Sequence, residues 1–151
     1  MSEMKAYCQK GGLTMREILF RGKTNNGRWV EGVYFKHDTV KVCFSSDDPK
    51  PRHLIIQDGF CDWGFEPPII FVEVDPETVG QFTGLKDENG KWIFEGDIVK
   101  TGGIAYGCRW DDGNFEFGLY NKKESFGIAY ADLPISVIGN IHDNPELLEV
   151  N

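Results

Sequence analysis

With 151 residues and a formal charge of −8, the chain is large enough for one ordinary domain or two small β-units around a shared core, and folding at this size buries roughly 70% of the unfolded surface without help from disulfides. The acidic excess lies mostly in the second half: Gly80 onward carries twelve acids against six bases, while residues 1 to 79 carry twelve against ten. A negative surface repels phosphates and disfavours nucleic acid, and the strongest apolar run, Ile69 to Val72, is far too short to span a bilayer.

The first fourteen residues hold no apolar block that could serve as a signal peptide. Cys8, Cys43, Cys61 and Cys108 stand far apart with no CxxC pair, which matches neither a zinc framework nor a secreted disulfide scaffold and points to a reducing cytosol. From there on, apolar and β-branched runs recur between Gly, Asn and Asp clusters, the habit of short antiparallel strands. The pattern predicts strands near Glu17 to Gly22, Arg28 to Phe35, Thr39 to Phe44, Leu54 to Gln57, Ile69 to Val74 and Thr78 to Phe82. "SSDDPKPRH" reads as a linker or mobile loop, since its prolines cannot donate ladder hydrogen bonds. A second group of strands is expected near Lys91 to Phe94, Asp97 to Thr101, Ile104 to Trp110, Asn114 to Leu119, Gly127 to Tyr130 and Ser136 to Ile141. At the end, Asn144 can cap a helix of one or two turns with Pro145 at its first position, leaving Leu147 and Leu148 to dock.

The chain also echoes itself. "FRGKTNNGRWVEG" from Phe20 and "FTGLKDENGKWIFEG" from Phe82 share Phe-x-Gly, an Asn-Gly pair, a base, Trp, an aliphatic residue and Glu-Gly, with one extra residue before the turn and another after the Trp in the second copy. Asn-Gly suits a two-residue type I′ hairpin turn. That register sets Asp87 opposite Trp92, Thr24 opposite Trp29 and, at the Asp112-Gly113 turn of "WDDGNFEF", Trp110 opposite Phe115. Phe115, Phe117 and Leu119 then share a buried face, and Trp29, Trp92 and Trp110 are read as packing residues ahead of a stacking platform.

Asp87, Glu88, Glu95 and Asp97 raise the question of catalysis or a metal cage. The glycine of "DENG" falls too early for a calcium-binding EF loop, and carboxylates at a hairpin tip, Asp87 and Glu88, usually point into water. Asp97 opens the strand "DIVK" and is expected to brace nearby main-chain N–H groups. His37, His53 and His142 lie in separate segments, with no HxxxH, HExxH or GxSxG; no GxGxxG or GxxxxGK[ST] supports a phosphate cradle. A metal site joining His53 to Cys61 or Cys43 is the weaker alternative to ordinary core or surface roles. No catalytic residue, cofactor or metal is expected.

"REILFRGKTNNGRWVEG", "ETVGQFTGLKDENGKWIFEGDIV" and "VIGNIHDNPELL" resemble, in the same order, three signature segments of the YopX family, small proteins of bacteriophages and prophages. The resemblance runs from about Arg16 to Leu148, with a more individual stretch between Asp38 and Pro68. It implies a mainly β structure, a phage-encoded accessory role in the cytoplasm of a bacterial host and no established reaction. Met15 resembles the usual family start, so residues 1 to 14 read as a disordered extension.

The resulting expectation is an all-β protein with related parts at 15–79 and 80–151, forming one compact unit, the second with an SH3-like barrel from about Gly80 to Ile141. Its favoured function is a non-catalytic module that self-associates or binds a protein. Arg21, Arg28, Trp29, Trp92, Glu95, Asp97 and Trp110 form the candidate interaction surface. Nucleic-acid binding through the basic cluster Arg16, Arg21, Lys23 and Arg28 is the alternative, and an enzyme using Asp97, Glu95 and a histidine comes third.

Overall fold

The computed structural model describes residues 18–38, 50–60, 66–128 and 134–149. Among these residues the fold is all-β, with two antiparallel sheets. In chain order the strands are β1 (Phe20–Lys23), β2 (Trp29–His37), β3 (Arg52–Asp58), β4 (Ile69–Glu73), β5 (Asp75–Lys86), β6 (Trp92–Phe94), β7 (Asp97–Thr101), β8 (Ile104–Asp111), β9 (Glu116–Tyr120), β10 (Ser125–Gly127) and β11 (Ser136–Asn140). A 3-10 turn, Pro145–Leu148, follows; Asn144 precedes it without the side-chain cap that the sequence suggested. The expected strand Thr39 to Phe44, the extension 1 to 14, and Cys8, Cys43 and Cys61 lie outside the described residues.

The first sheet has the order β4-β3-β2-β1-β5-β6 and the second β10-β9-β8-β7-β11. Only Val74 separates β4 from β5, so the run that begins by pairing with β3 ends by pairing with β1. The sheet therefore curls back on itself, and the inner side of the curl gathers Val30, Ile55 and Val74, with Val72 and Val79 packed against them. Strand alternation puts Ile55 on that inner side and its neighbours Leu54 and Ile56 on the outer one.

A larger core lies under the second sheet, where Ile93 of β6 meets Val99, Tyr106, Cys108, Phe117, Leu119 and Ile128. Of the segment expected to form a barrel, β5 and β6 ladder with the first sheet and β7 to β11 make the second. β5 runs unbroken through position 80, so one strand serves both halves of the chain.

The two echo hairpins have the same turn, and it is not type I′. Gly27 N–H donates to Thr24 O at 2.8 Å and Thr24 N–H to Arg28 O at 2.9 Å; Gly90 to Asp87 and Asp87 to Lys91 repeat the pattern at 2.9 and 2.8 Å. Only the glycine of each pair takes positive φ, +85° at Gly27 and +81° at Gly90, so the Asn stays in the ordinary right-handed range as the last central residue of a four-residue turn. The register consequently moves by one: Lys23 faces Trp29 and Lys86 faces Trp92. The third turn also shifts, with Trp110 opposite Phe117 instead of Phe115. Phe115 ends that turn at φ 54° and is 80% exposed, which corrects its expected burial beside Phe117 and Leu119. Three boundaries move as well: Arg52 and His53, expected in a loop, open β3; β10 begins at Ser125, two residues before the expected start, with Ala129 and Tyr130 outside the described residues; and β9 begins at Glu116.

Candidate functional site

The acidic stretch after β6 leads to the junction between the sheets. Asp97 is almost wholly buried at the start of β7. Its Oδ2 accepts the Phe94 N–H at 2.8 Å and its Oδ1 the Arg21 Nη2–H at 2.6 Å. Arg21 comes from β1 of the other sheet, and its guanidinium lies 4.7 Å from the Trp29 ring centroid and 4.8 Å from that of Phe94. The two ring faces supply the cation with favourable contact where water is excluded. With both Asp97 oxygens engaged, this carboxylate holds chain to chain.

Beside it, Trp29 Nε1–H donates to Asp143 Oδ2 at 2.8 Å, Asn140 Nδ2–H to the same oxygen at 3.0 Å, and Lys23 Nζ to Asp143 Oδ1. These bonds, Lys23 foremost, hold the Asp143 carboxyl well below its ordinary range. The turn after β11 is thereby fastened to the first hairpin, with His142 against Trp29 at 6.0 Å between centroids.

Asp87, expected in water at a hairpin tip, is buried. Burial pushes its pKa up, but N–H groups of Val137, Lys91 and Asn89 outweigh that and leave it below the ordinary value. It ties the second echo hairpin to β11 through Val137 at 3.1 Å. The Asn89 and Lys91 N–H bonds are the local signal that sets Asp87, at the start of the turn, apart from Glu88, whereas the Val137 partner fifty residues away gives none.

The remaining candidates scatter. Glu95 Oε1 accepts the Trp110 N–H at 3.1 Å. Trp110, 36% exposed, rests its ring edge-on to Phe117 at 5.0 Å. Trp92 stacks on Phe82 at 5.0 Å. Arg28 is exposed at the first turn, Arg16 lies outside the described residues, and Arg21 is buried, so the basic cluster is not displayed together. Two surface depressions, one of about 130 Å³ near Ile104 and Glu124 and one of about 400 Å³ near His53 and Asp75, include neither Glu95 nor Asp97. His53 Nδ1 instead bonds the Tyr34 hydroxyl at 2.5 Å. Among the described residues no three His, Cys, Asp or Glu gather as a metal set.

What is displayed is apolar. The outer side of β2, β3 and β4 presents Val33 at 52% exposure, Phe35 at 46%, Ile69 at 67% and Phe71 at 61%. The ladder sets Val33 opposite Ile56 and Ile56 opposite Phe71, so these side chains stand on one face. None of them was among the candidate surface residues. The available signal was "IIFV", where consecutive apolar residues force one phase of an antiparallel strand outward.

Among the described residues no helix is long and apolar enough to cross a membrane. Comparison with curated proteins gives no match. The family described as YopX protein matches residues 19–149, nearly the whole chain, and the protein belongs to that family.

Proposed function

We propose that the protein is a phage or prophage accessory factor of the bacterial cytoplasm that acts by non-catalytic protein association. The outer face of β2, β3 and β4 is its contact surface. The observation that carries this reading is the continuous exposure of Val33, Phe35, Ile69 and Phe71. The largest apolar patch on a protein surface, commonly a few hundred Å², is often a functional one. The commitment of Asp97 to Arg21 and Phe94, and of Glu95 to Trp110, favours structural roles for the carboxylates that an enzyme would need. The burial of Arg21 leaves nucleic-acid binding with less of its basic cluster.

The test compares tagged wild type with Phe71→Asp in capture from host-cell lysate and from a solution of the untagged chain, alongside a low-salt DNA and RNA titration. Protein binding lost in Phe71→Asp, with a flat nucleic-acid titration, is the expected result. Binding that survives the substitution, or salt-sensitive nucleic-acid binding alone, would overturn it.

A further inference from the structure

The outer face just described has a symmetry that selects its occupant. β3 reads Arg52, His53, Leu54, Ile55, Ile56, Gln57, Asp58. By alternation Arg52, Leu54, Ile56 and Asp58 share the outer side, where Arg52 pairs with Glu73 at 3.1 Å at one end, Asp58 stands at the other, and Ile56 and the buried Leu54 lie between. His37 sits opposite Arg52, and Ile69 opposite Asp58. We infer that a second copy of this chain packs on this face about a two-fold axis, sheet against sheet, with the strands of the two copies running in opposite senses. Reversal places Asp58 of each copy toward the neutral Arg52–Glu73 pair of the other, whereas stacking in the same sense would set Asp58 on Asp58.

The area agrees. Taking about 200 Å² for a fully exposed large apolar side chain, the exposed fractions of Val33, Phe35, Ile69 and Phe71 leave roughly 450 Å² per copy. A two-fold pair then covers about 900 Å², and since interfaces are about 56–65% apolar this corresponds to roughly 1,400–1,600 Å² in all, the standard size for a specific complex. Charge also favours this face over others. Each chain carries −8, and copies meet with least repulsion where the centre is uncharged and Arg52 is already balanced by Glu73 at 3.1 Å. A two-fold contact is isologous, so one self-complementary patch suffices.

This inference rests on the association reading and commits it to a homodimer. Light scattering and sedimentation equilibrium across a concentration series test it on the full chain. Wild type is expected at twice the chain mass, with Phe71→Asp and Val33→Glu raising the dissociation constant roughly 30-fold or more while circular dichroism and melting stay those of the wild type under monomeric conditions. Asp58→Cys should gain no disulfide-linked dimer over wild type under mild oxidation, because reversal keeps the two copies of position 58 at opposite ends. A wild type that stays monomeric at the highest attainable concentration overturns the dimer, and lysate capture lost in Phe71→Asp would then leave the association reading standing. A dimer untouched by Phe71→Asp and Val33→Glu overturns the assigned face, and a disulfide-linked dimer gained by Asp58→Cys overturns its strand direction.

Discussion

Arg21 and Asp97, seventy-six positions apart in sequence, meet at 2.6 Å in the interior and join the two sheets through one ion pair. Arg21 Nε is buried with no hydrogen-bond partner among the described residues, so the guanidinium relies on Asp97 and on the rings of Trp29 and Phe94. Removing one member leaves the other charged and uncompensated. We expect Arg21→Met to lower unfolding free energy by about 3–5 kcal/mol. Arg21→Met with Asp97→Leu should recover a large part of that loss, because the desolvation cost disappears with the second charge. Urea denaturation of the two singles and the double supplies the cycle, and strict additivity would contradict the pairing.

The acid limb of the stability curve should report Asp87 and Asp143. Both carboxyls lie below their ordinary value of 3.8 in the folded protein. Their stabilisation is fully present above that value and is lost as pH falls through the lowered folded values, because the unfolded chain then binds protons that the folded one does not. The urea midpoint should therefore fall as pH drops below about 4. Asp87→Asn, which cannot accept from all three N–H groups with the same charge assistance, should be less stable at pH 7 and show a shallower acid limb. An acid limb of unchanged slope in that variant would remove Asp87 from this role.

Gly80 and Gly84 lie four residues apart in β5 but are needed for different reasons. A Cβ at Gly80 would stand 2.2 Å from the Glu95 carbonyl oxygen, a main-chain atom that cannot swing aside. At Gly84 a Cβ meets nothing within 4 Å, yet φ is +87°. Gly84→Ala should thus cost about 1 kcal/mol, from backbone conformation alone. Gly80→Ala should cost about 1–3 kcal/mol or more. Thermal melts that rank the two in the opposite order would contradict this account of the crossing between β5 and the end of β6.

Cys108 should be chemically silent in the folded protein. It is 1% exposed, and burial pushes its thiol up to about 12, with the Asp97 and Glu95 carboxylates adding to the effect. Iodoacetamide at mildly alkaline pH, followed by peptide mass mapping, should leave Cys108 unmodified until denaturant is added. Rapid native labelling would show that the core around Val99 and Leu119 opens far more readily than its packing implies.

Much of the architecture was legible in local pattern. Alternation located most strands, and the spacing of Gly and Trp revealed the repeated hairpin, because a left-handed glycine and a strand pleat are properties of a few neighbouring residues. The turn itself was misjudged by one residue: Asn-Gly permits two turn geometries, and the longer loop won at both hairpins. In the same way, the bonds from Asn89 and Lys91 to Asp87 are local, but nothing local foretells that this turn meets β11 through Val137.

By itself the sequence determined that the chain would be built of short antiparallel strands, where most of them fall, and that its family is YopX. Only the tertiary structure decided that Arg21 is an internal cation, that β5 belongs to both halves, and that Val33, Phe35, Ile69 and Phe71 stand outside together. The reason is that alternation gives a residue its side of a strand but not what covers that side. The curl of β4 into β5 puts Ile55 within and leaves the opposite phase of β2 and β4 to the solvent.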